Sequence, residues 1–131
     1  MTDTEIREFI ANAIEENKAM LFMKGTPNQP ACGFSARTSG ALNALGVKYA
    51  ALDILPDPRI RQELSELSGW PTIPQLFVDG ELVGGCDIVM EMYESGELAE
   101  ALGVEQPEEA PEAPKPQQQA QAPIGLENNL S

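Results

Sequence analysis

Met23-Lys24-Gly25-Thr26-Pro27-Asn28-Gln29-Pro30-Ala31-Cys32-Gly33-Phe34-Ser35 is the stretch around which the chain is organised. The apolar run 19–23 that enters it is bounded by turn residues and is too short for a helix, so it predicts a buried strand. A loop rich in Gly, Pro and Asn follows, and over 36–45 a helical pattern resumes with Ala41, Leu42 and Leu45 on one face. Cys32 is thereby expected at a strand-to-helix turn, on the first residues of a helix. A thiol is a nucleophile and a soft metal ligand only as thiolate, and the positive end of a helix lowers its pKa. Lys24, at the end of the strand, brings a fixed positive charge to the same cleft. Most lone cysteines are small core residues, but Pro30, Gly33 and Ser35 make a polar, turn-like setting unlike a packed interior.

Upstream, Ile6, Phe9, Ile10, Ala13 and Ile14 recur at helical spacing and predict an amphipathic helix capped by Thr2 or Asp3. Downstream, Gly46 suits the left-handed position that ends a helix, and 47–52 predicts a second strand. The segment between the two strands is long enough for a crossover, so they are expected as parallel neighbours. Asp57 followed by Pro58 fits an N-cap with proline at the first helical position, and Ile60, Leu64 and Leu67 mark a helix to about Ser68. After the break Gly69-Trp70-Pro71-Thr72-Ile73-Pro74, 75–78 predicts a strand. Asp79-Gly80 is a strong hairpin signal that returns 81–83 antiparallel. Gly84-Gly85-Cys86-Asp87 then opens a helix with Ile88, Val89, Met92 and Tyr93 inward, and 97–102 adds a last turn or two. The expected fold is α/β, a mixed four-stranded sheet flanked by helices.

With 131 residues and a net charge of −13, the chain suits one domain plus an appendage. Asp and Glu outnumber Lys and Arg by 16 to 7 through Gly103, so nucleic acid and anionic membranes are poor partners. No run approaches a membrane span and the first residues lack the features of a secretory signal, so the expected location is the cytoplasm. Two cysteines in that reducing setting suit reactivity or metal binding better than a structural staple. Histidine is absent, which leaves sulfur or carboxylate as metal ligands and excludes Ser-His or Cys-His relays. Beyond Gly103 the composition shifts to Pro, Glu, Ala and Gln, too polar to offset the entropy of ordering. The expected organisation is a folded domain over 1–104 and a flexible acidic tail over 105–131, in which Ile124-Gly125-Leu126 is a candidate docking motif.

Ile73-Pro74 is a candidate cis bond. A cis bond there would expose the backbone of Ile73 for pairing with an extended peptide; the bland alternative is that Pro71 and Pro74 only shape a loop. Gly84-Gly85-Cys86-Asp87 makes a close-approach turn into a helix start, suited to a carboxylate, although an Asp-capped helix would look similar.

Lys24, Cys32-Gly33-Phe34-Ser35, Trp70-Pro71-Thr72-Ile73-Pro74-Gln75 and Gly84-Gly85-Cys86-Asp87, in that order, closely resemble the monothiol glutaredoxins of the Cys-Gly-Phe-Ser class. The resemblance implies a thioredoxin fold and a groove for glutathione. By position, Lys24 and Arg61 would pair with the glycine carboxylate of the tripeptide and the Ile73 backbone with its cysteinyl unit. Thr72 would line the same wall, while the N–H groups of Cys86 and Asp87 and the Asp87 side chain would hold the glutamyl end. Arg59 lies two residues from Arg61, and two basic residues near a helix start are usually solvated surface.

The resemblance also implies a [2Fe-2S] cluster at a homodimer interface, with one Cys32 and one glutathione thiol from each side completing four sulfur ligands. Two exchangeable ligands suit a carrier that hands its cluster to iron-sulfur acceptor proteins, and BolA-type proteins are implied as alternative partners. Ser35 stands where dithiol relatives carry a resolving cysteine, so thiol turnover would depend on external glutathione. Gly33 would let another sulfur or iron approach, and Phe34 would shield one side. The lengthened loop 25–31 implies poor activity on simple mixed disulfides. The leading expectation is therefore a cluster carrier or store with at most weak oxidoreductase activity. The alternatives are a glutathione-dependent oxidoreductase that deglutathionylates proteins through Cys32, and an adaptor whose thiol is incidental.

Overall fold

The computed structural model describes residues 1–105. Nine elements follow one another: α1 (Asp3–Glu16), β1 (Ala19–Met23), α2 (Gly33–Leu45), β2 (Ala50–Asp53), α3 (Pro58–Ser68), β3 (Gln75–Val78), β4 (Glu81–Gly84), α4 (Cys86–Ser95) and α5 (Glu97–Leu102). The strands form one sheet in the order β2-β1-β3-β4. β1 runs parallel to β2 and antiparallel to β3, and β3 pairs antiparallel with β4. This is the thioredoxin-like arrangement the sequence predicts. The expected tail, with Ile124-Gly125-Leu126, lies outside the described residues apart from Glu105.

Side-chain alternation along β1 divides the core. Ala19, Leu21 and Met23 join Leu42, Leu76 and Val89 beneath α2, α4 and α5. Met20 and Phe22 point the other way, to Ile6, Ile10, Leu64 and Phe77 beneath α1 and α3. Every residue of β1 is buried, as expected of a central strand covered by helices on both faces. Phe22 and Phe77 meet edge to face with ring centroids 5.7 Å apart, a favoured aromatic geometry.

Local signals set the element ends. Thr2 and Glu5 form a reciprocal capping box on α1. Asp57 caps α3 through the Arg59 N–H, with Pro58 at the first helical position. Gly46 and Gly69 end α2 and α3 in the left-handed conformation. Asp79 and Gly80 both have positive φ, the turn that a tight hairpin requires.

Three expectations are corrected. β2 begins at Ala50, not Val47: its pairing with β1 starts at Met20 opposite Ala50, and Val47 and Tyr49 pack on the core without joining the ladder. β4 extends one residue further, to Gly84, across an irregularity opposite Leu76 and Phe77. α2 follows Cys32 directly, starting at Gly33 with Cys32 as its cap, as the sequence predicts. Phe9, counted on the inward face of α1, is 48% exposed, and Leu67 on α3 is also exposed. Ile6 and Ile10 alone fill the depth that α1 buries.

Candidate functional site

Topology gathers the chemistry at one end of the sheet. Met23 pairs with Asp53, Phe22 with Gln75 and Leu76 with Gly84. The ends of β1, β2 and β4 and the start of β3 therefore lie side by side. Lys24, the first turns of α2 and α3, the loop 69–74 and the start of α4 all emerge there.

Cys32 is the N-cap of α2, in extended conformation, and its sulfur accepts a hydrogen bond from the Ser35 N–H at 3.4 Å. Ser35 is fully buried, with its Oγ 3.4 Å from Cys32 Sγ. That Oγ accepts from the Lys24 N–H at 3.0 Å. With one lone pair taken by the Lys24 N–H, the hydroxyl keeps its proton to donate to the sulfur once Cys32 is a thiolate. Partial burial pushes the Cys32 thiol up. The Ser35 hydroxyl, the amides of Ser35 and Phe34, and the Lys24 charge outweigh it, so the thiol lies below its ordinary value. The residue is half-buried, which leaves the sulfur accessible.

The loop before Cys32 is held from both sides. Ala31 N–H donates to the Lys24 carbonyl at 2.8 Å, and Gly25 pairs with Pro30 in an isolated bridge. Asp53, at the end of β2, accepts from the N–H groups of Gly25 at 2.9 Å and Leu55 at 3.0 Å. Gly25 has φ +88°, and a Cβ there would lie 2.5 Å from the Gln29 carbonyl oxygen. At Gly33, by contrast, a Cβ would meet nothing within 4 Å.

Beside the cysteine runs a groove of about 240 Å³ lined by Phe34, Trp70, Thr72, Ile73, Pro74 and the first turn of α4, including Cys86 and Asp87. The Ile73-Pro74 bond is cis. Ile73 lies two residues ahead of the first paired residue of β3. Gln75, fully buried, donates from Nε2 to the carbonyls of Trp70 at 2.9 Å and Thr72 at 3.1 Å, which fixes the wall. Phe34 is 59% exposed at the mouth. A larger hollow of about 510 Å³, lined by 16–19 and 47–50, lies at the other end of β1, away from both sulfurs.

Thr72, Ile73, Cys86 and Asp87 thus share one groove, and Lys24 acts on the neighbouring sulfur. Arg61 reaches the rim, where Nη2 donates to the Pro71 carbonyl at 3.3 Å. Arg59 turns away into ion pairs with Asp57 at 2.9 Å and Asp3 at 3.4 Å. Cys86 is 7% exposed; burial pushes its thiol up, with a hydrogen bond to Thr38 and the Arg37 charge opposing. The helix it opens is capped by Gly85 without a side-chain hydrogen bond, so no Asp cap competes for its first N–H groups. Sequence reasoning missed Asp53, Arg37 and the hydrogen bonding of Ser35. Only the break at 53–58 hinted at the first.

The glutaredoxin family model matches residues 19–83. The chain is 51% identical over 102 residues to the probable monothiol glutaredoxin 2 of Rickettsia typhi, covering 78% of this chain and 92% of that one. The chain belongs to the monothiol glutaredoxins. Glutaredoxin 4 of Escherichia coli K12 is 56% identical over 95 residues, 72% of this chain and 83% of its own. Among solved structures, reduced apo GrxS14 of poplar matches with a TM-score of 0.69 and 42% identity, covering 79% of this chain and 95% of that one. A buckwheat glutaredoxin solved as its glutathione complex matches with a TM-score of 0.69 and 25% identity, over 77% of this chain and 90% of that one. Among the described residues of this glutaredoxin, no helix is long and apolar enough to cross a membrane.

Proposed function

We propose that this monothiol glutaredoxin carries or stores a [2Fe-2S] cluster held between two copies of the chain, each contributing Cys32 and a glutathione bound in its groove. One observation carries the proposal: a single accessible sulfur, lowered in pKa, stands beside open space at Gly33. Cys86, the other sulfur, is buried with its thiol pushed up. Among the described residues, no group of three or more His, Cys, Asp or Glu could hold a metal, and Cys32 is the sulfur left to be shared. Four sulfurs are needed. A second chain and two small thiols supply the other three.

The groove fits the small thiol. The unpaired stretch before β3 offers the Ile73 backbone to an extended peptide, with Thr72 on the same wall. The first turn of α4 would receive a carboxylate at its positive end, and Lys24 and Arg61 would pair with the opposite carboxylate. The cluster is cargo: ligands that dissociate let it pass to acceptor proteins of the cytoplasm, or to a mixed complex with a BolA-type partner.

A second reading rests on the lowered thiol itself. The Cys32 thiolate would attack the glutathione sulfur of a protein mixed disulfide and expel the protein thiolate. A second glutathione thiolate would then break the Cys32-glutathione bond and release glutathione disulfide. Ser35 offers no internal resolving thiol, so the carrier reading leads.

Anaerobic incubation of the full chain with iron, a sulfide source and glutathione, followed by size-exclusion chromatography with visible absorbance, tests the proposal. A brown dimer is expected, lost without glutathione, with Cys32→Ser a colourless monomer. A wild-type chain that stays colourless but turns over a mixed disulfide rapidly would move the second reading to first place.

A further inference from the structure

The charges around the groove assign a role to a residue outside the set above. Through Gly103 the chain has seven basic residues against sixteen acidic ones. Arg7 is held by Glu63 and Glu66, Lys18 by Asp79, and Arg59 by Asp57 and Asp3. Lys48 lines the hollow at the far end of the sheet. The remaining three, Lys24, Arg37 and Arg61, have no carboxylate partner among the described residues, and all three stand at the Cys32 end.

Lys24 and Arg61 approach from the β1 and α3 side. Arg37 stands on the opposite side, in the second turn of α2, whose Ala41 and Leu42 share a core with Cys86, Val89 and Met90 of α4. Its side chain is half-exposed, but its Nε is buried with no acceptor. Its charge acts on Cys86, the first residue of α4. The guanidinium has found no carboxylate although acidic residues outnumber basic ones 16 to 7 through Gly103. An anion brought by a ligand explains both the lack of a partner and the position.

We propose that Arg37 is a specificity-determining residue of the groove, placing positive charge at its α4 end for the α-carboxylate of a γ-glutamyl unit, beside the N–H groups of Cys86 and Asp87. This rests on the proposal that the groove takes glutathione. The two ends of the tripeptide are then read by different cations: glycine by Lys24 and Arg61, glutamyl by Arg37.

Chemical-shift titration of the reduced, metal-free full chain with three probes separates the ends. The probes are glutathione, γ-glutamylcysteine, which lacks the glycine, and cysteinylglycine, which lacks the glutamyl unit. Arg37→Gln is expected to weaken glutathione and γ-glutamylcysteine about fivefold, the yield of a partly exposed ion pair, and to leave cysteinylglycine at its wild-type affinity. Arg37→Lys should recover most of the loss. Arg61→Gln should give the converse pattern, weakening glutathione and cysteinylglycine only. Equal weakening of all three probes by Arg37→Gln would reduce Arg37 to a packing residue, and no weakening would remove it from the groove. Both results leave glutathione binding standing. Failure of the wild-type chain to bind any probe would instead remove the ligand assignment, and the role of Arg37 with it.

Discussion

Helices α2 and α4 start at the same end of one sheet, each with a cysteine at the junction, yet Cys32 and Cys86 have opposite thiol chemistry. Both sulfurs sit at the positive end of a helix dipole. Cys32 lies one position earlier, as the cap, and stays half-exposed, with Ser35 turned towards it by the Lys24 amide. Cys86 lies inside the first turn and is swept into the core, where burial dominates. A helix terminus lowers a thiol only when the sulfur is the cap and not part of the packing. One residue of offset separates an accessible thiol from a core atom.

The largest effect that could break this contrast is alkylation of the native, metal-free chain at neutral pH, read by peptide mass spectrometry. Cys32 should be fully modified before Cys86 is detectably touched, and Cys86 should react only after unfolding in denaturant. Equal rates would erase the distinction.

The glycines beside the two cysteines sharpen it. A Cβ at Gly85 would lie 3.1 Å from Trp70 Nε1 and 3.3 Å from the Pro74 carbonyl oxygen. Gly85→Ala should therefore cost about 1–3 kcal/mol in urea denaturation, the usual penalty of overpacking. Gly33→Ala should be neutral or stabilising by up to about 1 kcal/mol, because the space is open and alanine favours a helix. A Gly33→Ala chain that loses cluster loading but not stability would show that the space serves a second body.

Ser35→Ala removes the oriented hydroxyl. The pH midpoint of Cys32 alkylation should rise towards that of a free cysteine, while Thr38→Val, which removes the hydrogen bond to Cys86, should leave the Cys32 midpoint unmoved. An unchanged Cys32 midpoint in Ser35→Ala would assign the lowering to the backbone amides and Lys24.

The smallest effect is on stability against pH. The folded pKa of Cys32 is depressed, so its contribution is full above the unfolded value of about 8.5 and is lost as pH falls through the folded value. Cys86 is raised, so the native state keeps a proton the unfolded chain releases. Its contribution is full below about 8.5 and fades as pH rises through its folded value. Urea midpoints of Cys32→Ser and Cys86→Ser against wild type across this range should diverge in opposite directions.

Much of this was legible in the sequence because the signals were local. Strand alternation, the Asp79-Gly80 turn, the Asp57-Pro58 start and the glycine stops are properties of neighbouring residues, and they fixed the element order. What was not legible depends on partners distant in the chain. Periodicity put Phe9 on the inner face of α1 but could not say how deep that face is buried. The apolar run 47–52 looks continuous, yet Val47 and Tyr49 go to the core and pairing starts only at Ala50. Arg59 and Arg61 look alike two residues apart, until Asp3 and Asp57 claim one and the Pro71 carbonyl holds the other. In the sequence Ser35 reads only as a missing thiol; its hydrogen bond to the Lys24 amide comes from another element.

Gly25 carries a consequence for how this protein can vary. Its backbone conformation excludes ordinary side chains, and any β-carbon would strike the carbonyl of Gln29 across the turn. A saturation library over 24–31, selected for function, should accept many residues at exposed Thr26, Asn28 and Gln29 yet return only the parental residue at position 25. One hydrogen atom there sets the diameter of the turn that delivers the reactive sulfur.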